Sequence, residues 1–116
     1  MVSEPLYQLK AEFFKTLGHP TRIRVLELLS EREHGVAELV AAVGIEASNL
    51  SQHLAMLRRA NLVAARKDGS AVFYALTNPQ VAGLLALARE IVAGVLSGRA
   101  DLLDDLRSSA PERASP

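Results

Sequence analysis

Along most of the chain apolar residues return at helical spacing and only one short stretch alternates. The pattern therefore predicts a run of short amphipathic helices, one β-hairpin and a long final helix. Ser3 is placed to cap a first helix with Pro5 in its first turn. Leu6, Leu9, Phe13 and Leu17 follow on one face until Gly18, which sets the helix at about residues 4 to 17. Pro20 opens a second helix with Ile23, Leu26 and Leu29 inward, and His19 stands at its cap, where Asp or Ser would serve better. Gly35 and Glu38 have the spacing of a cap and its third residue. They start a third helix at Val36 that carries Leu39, Val40 and Val43 and stops at Gly44.

A fourth helix spans Ala47 to Ala60, with Leu50, Leu54 and Leu57 as its buried stripe and the remaining positions facing out. From Leu62 the pattern becomes β-type: Leu62 to Lys67, a turn at Asp68 and Gly69, then Ser70 to Leu76 with Val72, Tyr74 and Leu76 alternating. Asn78 and Pro79 cap and open the last helix, which bears Val81, Leu84, Leu85, Leu87, Ala88, Ile91, Val92, Val95 and Leu96. A stripe that wide is more than one small domain covers, so a second copy of the chain is its natural partner. Gly94 and Gly98 weaken the helix near its end, Leu102, Leu103 and Leu106 add a turn or two, and Ser108 to Pro116 reads as a flexible tail. The organisation predicted is a single domain over 1–107 with dimerising terminal helices, followed by a flexible 108–116. Its fold class is mainly α with a small β-hairpin, in the order α-α-α-α-β-β-α of a winged helix-turn-helix.

Composition narrows the function. A chain of 116 residues that is 49% hydrophobic supports one folded domain with a modest core. The absence of cysteine excludes disulfides, thiolate metal sites and sulfur nucleophiles. The N-terminus lacks a signal-peptide apolar region, and Arg89 and Glu90 interrupt the longest apolar stretch. The reading is cytoplasmic, neither secreted nor membrane-spanning. No glycine-rich phosphate loop, nucleophile elbow or framed carboxylate pair is present, so catalysis is not expected. A formal net charge of zero argues against a nucleic-acid partner until its distribution is considered. Between Ala47 and Thr77 lie Arg58, Arg59, Arg66 and Lys67 against only Asp68, whereas Val25 to Glu46 holds Glu27, Glu31, Glu33, Glu38 and Glu46 against Arg32. One basic segment beside an acidic one fits a single face that meets phosphate.

The succession of helix, turn at Gly44, polar-faced helix and basic-tipped hairpin is what reading a DNA major groove requires. Ser48, Asn49, Ser51, Gln52 and His53 cluster in the N-terminal half of the fourth helix, the end that enters a groove, and Gln52 is the best placed to touch a base edge. Any solvated helix face is polar. It is the turn helix before this face and the basic wing after it that favour DNA. Arg66 and Lys67 at the hairpin tip, with Ser70 after the turn, fit a wing laid along phosphate or the minor groove, although exposed hairpin tips are often charged. Thr21 and Arg22 open the second helix, where side chain and helix N-terminus can bind a phosphate. Arg58 and Arg59 suit the helix dipole as well as they suit DNA.

The blocks His19-Pro20-Thr21-Arg22-Ile23-Arg24-Val25-Leu26, Val36-Ala37-Glu38-Leu39, Ser48-Asn49-Leu50-Ser51-Gln52-His53-Leu54, Leu57-Arg58 and Gly69-Ser70-Ala71-Val72-Phe73-Tyr74 together resemble the ArsR/SmtB family of bacterial repressors, over roughly residues 6 to 96. The resemblance implies a homodimer that binds operator DNA and blocks transcription until an inducer releases it. Many such proteins sense metal through a Cys-x-Cys near the start of the third helix, where this chain has Gly35 and Ala37. Others use an Asp/His and a His/Glu pair on the last helix, where it has Asn78, Gln80, Ile91 and Gly94. Neither usual metal site is expected.

His19, His34 and His53 are scattered and read as ordinary surface histidines. Asp101, Asp104 and Asp105 share a helical face. With His34, or with Glu90 or a partner histidine, they offer an oxygen- and nitrogen-liganded site for a divalent cation such as nickel, but a solvated acidic face is the simpler reading. No cofactor is required. The expectation is a dimeric repressor on an inverted-repeat operator in double-stranded DNA, released by a small-molecule, metal or protein effector. Its dimer interface is expected at Leu6, Leu9, Phe13, Leu84, Leu87, Ala88 and Ile91. The alternative is a protein-interaction module, or the DNA-binding half of a two-protein regulator.

Overall fold

The computed structural model describes residues 4–114. Its elements are α1 (Leu6–Leu17), α2 (Pro20–Glu31), β1 (His34–Gly35), α3 (Val36–Val43), α4 (Ala47–Arg59), β2 (Val63–Asp68), β3 (Ala71–Leu76) and α5 (Gln80–Ala114). They fall into two compact units, Met1–Gly83 and Leu84–Pro116.

The core of the first unit lies where α2 meets α3, α4 and β3. From α2 it takes Val25, Leu26, Leu28 and Leu29; Leu39 comes from α3, and Leu50, Leu54 and Leu57 from α4. Ile23, expected inside, is only half-buried, and Val25 and Leu28 fill the places beside Leu26 and Leu29. The α4 stripe is buried as its spacing requires.

The helix ends explain the turns between elements. Ser3 lies outside the described residues; α1 starts at Leu6, with Pro5 as its cap and no side-chain bond to it. His19 caps α2 through its ring: Nδ1 accepts from Thr21 N–H at 3.1 Å, doing what an Asp or Ser oxygen would do. At α3 the Glu38 carboxylate accepts from the Gly35 N–H at 3.1 Å; glycine has no side chain to return the bond, so only this half of a capping box forms. Gly44 ends α3 at φ +77°, and Asn61 ends α4 at φ 60°. Asn61 N–H reaches the Arg58 carbonyl at 2.9 Å and Leu62 N–H the Leu57 carbonyl at 3.0 Å, a Schellman arrangement that turns the chain sharply into β2.

The wing is a three-stranded antiparallel sheet in the order β1-β3-β2, one strand more than the hairpin expected. The two-residue β1 pairs His34 with Tyr74 and Gly35 with Phe73. Asp68 pairs with Ala71, so the turn falls on Gly69 and Ser70, one residue later than predicted, with Gly69 supplying φ +64°. Because β3 is central and touched by α2 and α3, Val72 to Leu76 are all half-buried, and the expected alternation is blurred.

In the second unit α5 continues past Ser108, where a flexible tail was expected, and is assigned as helix to Ala114. Beyond Leu85 its described side chains are exposed. Over Gln80–Ser108 the helix has the length and composition to cross a membrane despite the interruption by Arg89 and Glu90.

Truncating the α4 stripe should be costly. Leu57 is fully buried, and Leu57→Ala is expected to destabilise the first unit by about 2–5 kcal/mol through lost burial and the cavity left behind. Urea denaturation checks this, and a loss below about 1 kcal/mol would mean that the stripe does not anchor α4.

Candidate nucleic-acid interface

With Leu50, Leu54 and Leu57 turned inward, the N-terminal half of α4 presents Ser48, Asn49, Ser51 and Gln52 to solvent. All four are exposed and have no side-chain partner among the described residues. Glu46 makes no side-chain cap bond, which leaves N–H groups of the first turn open to an anion. On the wing, Lys67 and Ser70 are likewise exposed and unpartnered. These six residues are the part of the predicted set that is both exposed and without a side-chain partner among the described residues.

The other four predicted contacts are engaged by neighbours: Thr21, Arg22 and His53 are half-buried, and Arg66 is exposed but ion-paired. Arg22 Nε donates to His53 Nδ1 at 3.2 Å, its Nη1 donates to the Thr16 carbonyl at 3.1 Å, and its Nη2 points at Met56 Sδ. One guanidinium thus ties the end of α1 and the start of α2 to the middle of α4. The His53 ring lies 4.4 Å from the His19 ring, centroid to centroid, and the Thr21 N–H is committed to His19. Arg66 makes a two-pronged ion pair with Glu33, at 2.6 and 3.1 Å, and its guanidinium lies 4.7 Å from the centre of the Phe73 ring. The acidic and basic segments therefore interlock at the wing. Arg58 and Arg59 are exposed, with no acid partner among the described residues.

The histidines are not the surface residues expected. His34 is 5% exposed, because β1 carries it into the sheet, and its Nδ1 bonds the Arg32 carbonyl at 2.9 Å. His19 and His53 both use Nδ1 as an acceptor, which requires each ring to be unprotonated there. Burial, then His19 and Arg22, push His53 below its ordinary value. Arg32, followed by the Gly35 N–H, holds Glu38 down to about 2, so the α3 cap is charged at any ordinary pH.

The metal positions fare differently. Gly35, Ala37, Ile91 and Gly94 have no side-chain donor, and Asn78 Oδ1 accepts from the Gln80 N–H at 2.8 Å as the start of α5. Among the described residues no three or more His, Asp or Glu stand together as a metal-binding group; Asp101, Asp104 and Asp105 lie on the exposed face of α5.

Comparison with known proteins assigns this architecture. A family model described as bacterial regulatory protein, arsR family, matches residues 19–65, from the cap of α2 into β2. Over 109 residues the chain is 61% identical to Rv0081, an HTH-type transcriptional regulator of Mycobacterium tuberculosis, covering 93% of this chain and 96% of the relative. The chain belongs to the ArsR family of winged helix-turn-helix transcriptional regulators. The crystal structure of Rv0081 agrees at a TM-score of 0.78 and 62% identity, over 84% of this chain and 99% of that one. The homodimeric winged helix-turn-helix DNA-binding domain Mb0332 of Mycobacterium bovis matches at a TM-score of 0.72 and 27% identity, over 84% and 95%. More distant ArsR relatives carry opposite regulatory signs. A probable mercury resistance operon repressor of Streptomyces lividans is 39% identical, over 72% of this chain and 66% of its own length. The transcriptional activator HlyU of Vibrio cholerae is 36% identical, over 66% and 71%. ArsR membership makes the chain a DNA-binding regulator and not an enzyme.

Sequence reasoning missed the Arg22–His53 and Glu33–Arg66 pairs, whose members stand 31 and 33 residues apart. Their consequence for pH can be tested. The folded pKa of His53 lies below its unfolded value, so its contribution to stability is whole above pH 6.5 and is lost as pH falls from there through the folded pKa. The denaturation midpoint is expected to drop over that window. His53→Gln, which keeps an acceptor for Arg22, should flatten this part of the profile. Identical profiles for the two proteins would remove His53 from the account.

Proposed function

We propose that this ArsR regulator is a cytoplasmic homodimeric repressor that reads an inverted-repeat operator with α4 and steadies itself on phosphate through the wing. The exposed, unpartnered row Ser48, Asn49, Ser51 and Gln52, on a helix fixed from behind by its leucines and by Arg22, carries the reading. Lys67 and Ser70 supply sequence-independent contacts. Repression is taken to follow from occupying the operator; the Streptomyces relative is named a probable mercury resistance operon repressor. Release is assigned to an effector other than a metal at the two usual ArsR centres, since the donor atoms those centres need are missing.

The dimer face is assigned to the apolar residues left uncovered on each unit. Leu6 and Leu9 are 65% and 51% exposed, Leu87 and Ile91 52% and 58%, with Ala88 beside them and Phe13 and Leu84 half-covered. The apolar length of α5 is read as this face rather than as a membrane span, because Arg89 and Glu90 lie within it and the related Mb0332 domain is a homodimer.

Operator selection with the purified protein, followed by a transcriptional reporter, tests the whole reading. DNA binding that is shallow, non-specific and only weakly dependent on salt would favour a protein-docking module, and a reporter that rises with the protein would make it an activator. Gln52→Ala should lower discrimination by about 1–3 kcal/mol at one or two base pairs and leave random-duplex binding intact. Lys67→Ala should instead weaken binding to every sequence and reduce the salt slope by about one unit. An unchanged ratio of operator to random affinity in the first, or an unchanged slope in the second, removes that residue from the interface.

Leu87→Asp places a carboxylate in the proposed dimer face and is expected to yield monomers in sedimentation, with loss of two-half-site binding. A Leu87→Asp protein that sediments as a dimer would move the interface elsewhere.

A further inference from the structure

Beside the reading face, within the first unit, α3, α4 and β3 enclose an open groove of about 920 Å³ that the DNA contacts do not account for. Its walls are apolar: Val36 from α3, Leu54 and Ala55 from α4, Val72 and Phe73 from β3. The space exists because the positions around it are small. Gly35, Ala37, Ala55 and Ala71 all border it, and a Cβ at Gly35 would already touch the Phe73 ring at 3.4 Å. Pockets that hold small molecules have this size and mostly apolar lining, with a few polar groups to orient the ligand.

The polar groups here have one uncompensated sign. Arg58 and Arg59 stand on the α4 side of the groove, both exposed and without an acid partner among the described residues. The one carboxylate on the lining, Glu38, is bound to Arg32 at 2.9 Å and to the Gly35 N–H, so its charge is already answered. Arg66, whose guanidinium lies over the Phe73 ring, is balanced by Glu33. The groove is thus an apolar slot with two free guanidinium groups at its rim. That arrangement complements a ligand with a flat apolar body and one carboxylate, which a guanidinium grips through paired hydrogen bonds.

We propose that the groove between α3, α4 and β3 is an effector site for a small aromatic carboxylate, its ring against Val36, Ala55, Val72 and Phe73 and its carboxylate on Arg58 and Arg59. Ser51 belongs both to the groove lining and to the exposed row of α4, and Ser70 both to the groove and to the wing. An anion seated here occupies the space between reading helix and wing and sets negative charge beside incoming phosphate, so ligand and DNA exclude one another, each weakening the other by the same factor. This second step rests on the DNA-binding function proposed above; the binding of the carboxylate does not.

The probe is 2-naphthoate, with 2-naphthalenemethanol as its uncharged counterpart, titrated into the full-length isotope-labelled protein without DNA and followed by amide chemical shifts. Naphthoate should perturb Ala55, Arg58, Val72 and Phe73, and should bind about tenfold more tightly than the alcohol, the worth of roughly one charge-assisted contact. Ala55→Leu, which fills the slot, should weaken both probes. Arg58→Gln with Arg59→Gln should bring naphthoate down to the alcohol's affinity while the spectrum stays folded. Shifts centred on the exposed face of α5, equal affinity for the two probes, or no shifts at millimolar naphthoate would each overturn the site. A DNA arm separates the two layers. If naphthoate binds as described but leaves operator affinity unchanged, competition is wrong. If the arginine variant loses DNA affinity and keeps naphthoate binding, Arg58 and Arg59 serve phosphate and the site is wrong. If no duplex binds at all, the proposed function fails while the amide titration still decides the groove.

Discussion

The outward face of α4 is decided by what its inward face does. Leu50, Leu54 and Leu57 are sealed in the core shared with α2 and α3, and a helix held by three leucines on one side cannot roll. Everything that gives the chain its chemistry follows from this orientation. Gln52 and its neighbours reach solvent, Ser51 and Ala55 border the groove, and His53 is brought to Arg22. The Schellman turn at Asn61 then sends the chain into β2, and Thr77 ties back to it, its hydroxyl donating to the Asn61 carbonyl at 2.6 Å and its N–H to the Leu62 carbonyl at 3.1 Å. Helix and wing are therefore placed by one contiguous set of contacts.

Most of the architecture was legible because short-range pattern determines it. The leucine stripe of α4, the stop at Gly44 and the hairpin signal at Asp68 and Gly69 involve residues a few positions apart, and all three lead to the observed elements. What was hidden depends on residues that meet only after folding. Nothing within ten residues of Arg22 indicates that it will face His53, and nothing near Glu33 indicates Arg66. The strand β1 is too short to show a period, and it alone takes His34 out of solvent. The helix end at Asn61 had a readable cue, since asparagine tolerates positive φ better than most residues. All ten candidate contacts came from position in the motif; which of them stay unpartnered, Ser48, Asn49, Ser51, Gln52, Lys67 and Ser70, and which are engaged by neighbours, Thr21, Arg22, His53 and Arg66, is decided only by folding.

The winged helix-turn-helix scaffold of the ArsR family is present, while Gly35, Ala37, Ile91 and Gly94 carry no side-chain donor atom. Gly35 and Ala37 are compatible with a groove because they are small, and Asn78 serves α5 as a cap. Relatives with opposite regulatory signs show that a shared scaffold does not by itself fix the output.

The anchoring of the wing has a thermodynamic consequence. A free two-stranded hairpin would have to be ordered when it meets DNA. Here β3 is bonded on both edges, and Arg66 fastens the hairpin to Glu33 and to the face of Phe73. The ordering is complete before association, so little conformational entropy remains to be lost by the wing on contact. In the DNA complex proposed above, the wing's share of the binding free energy should appear as counterion release, with only a small heat-capacity change from the hairpin itself.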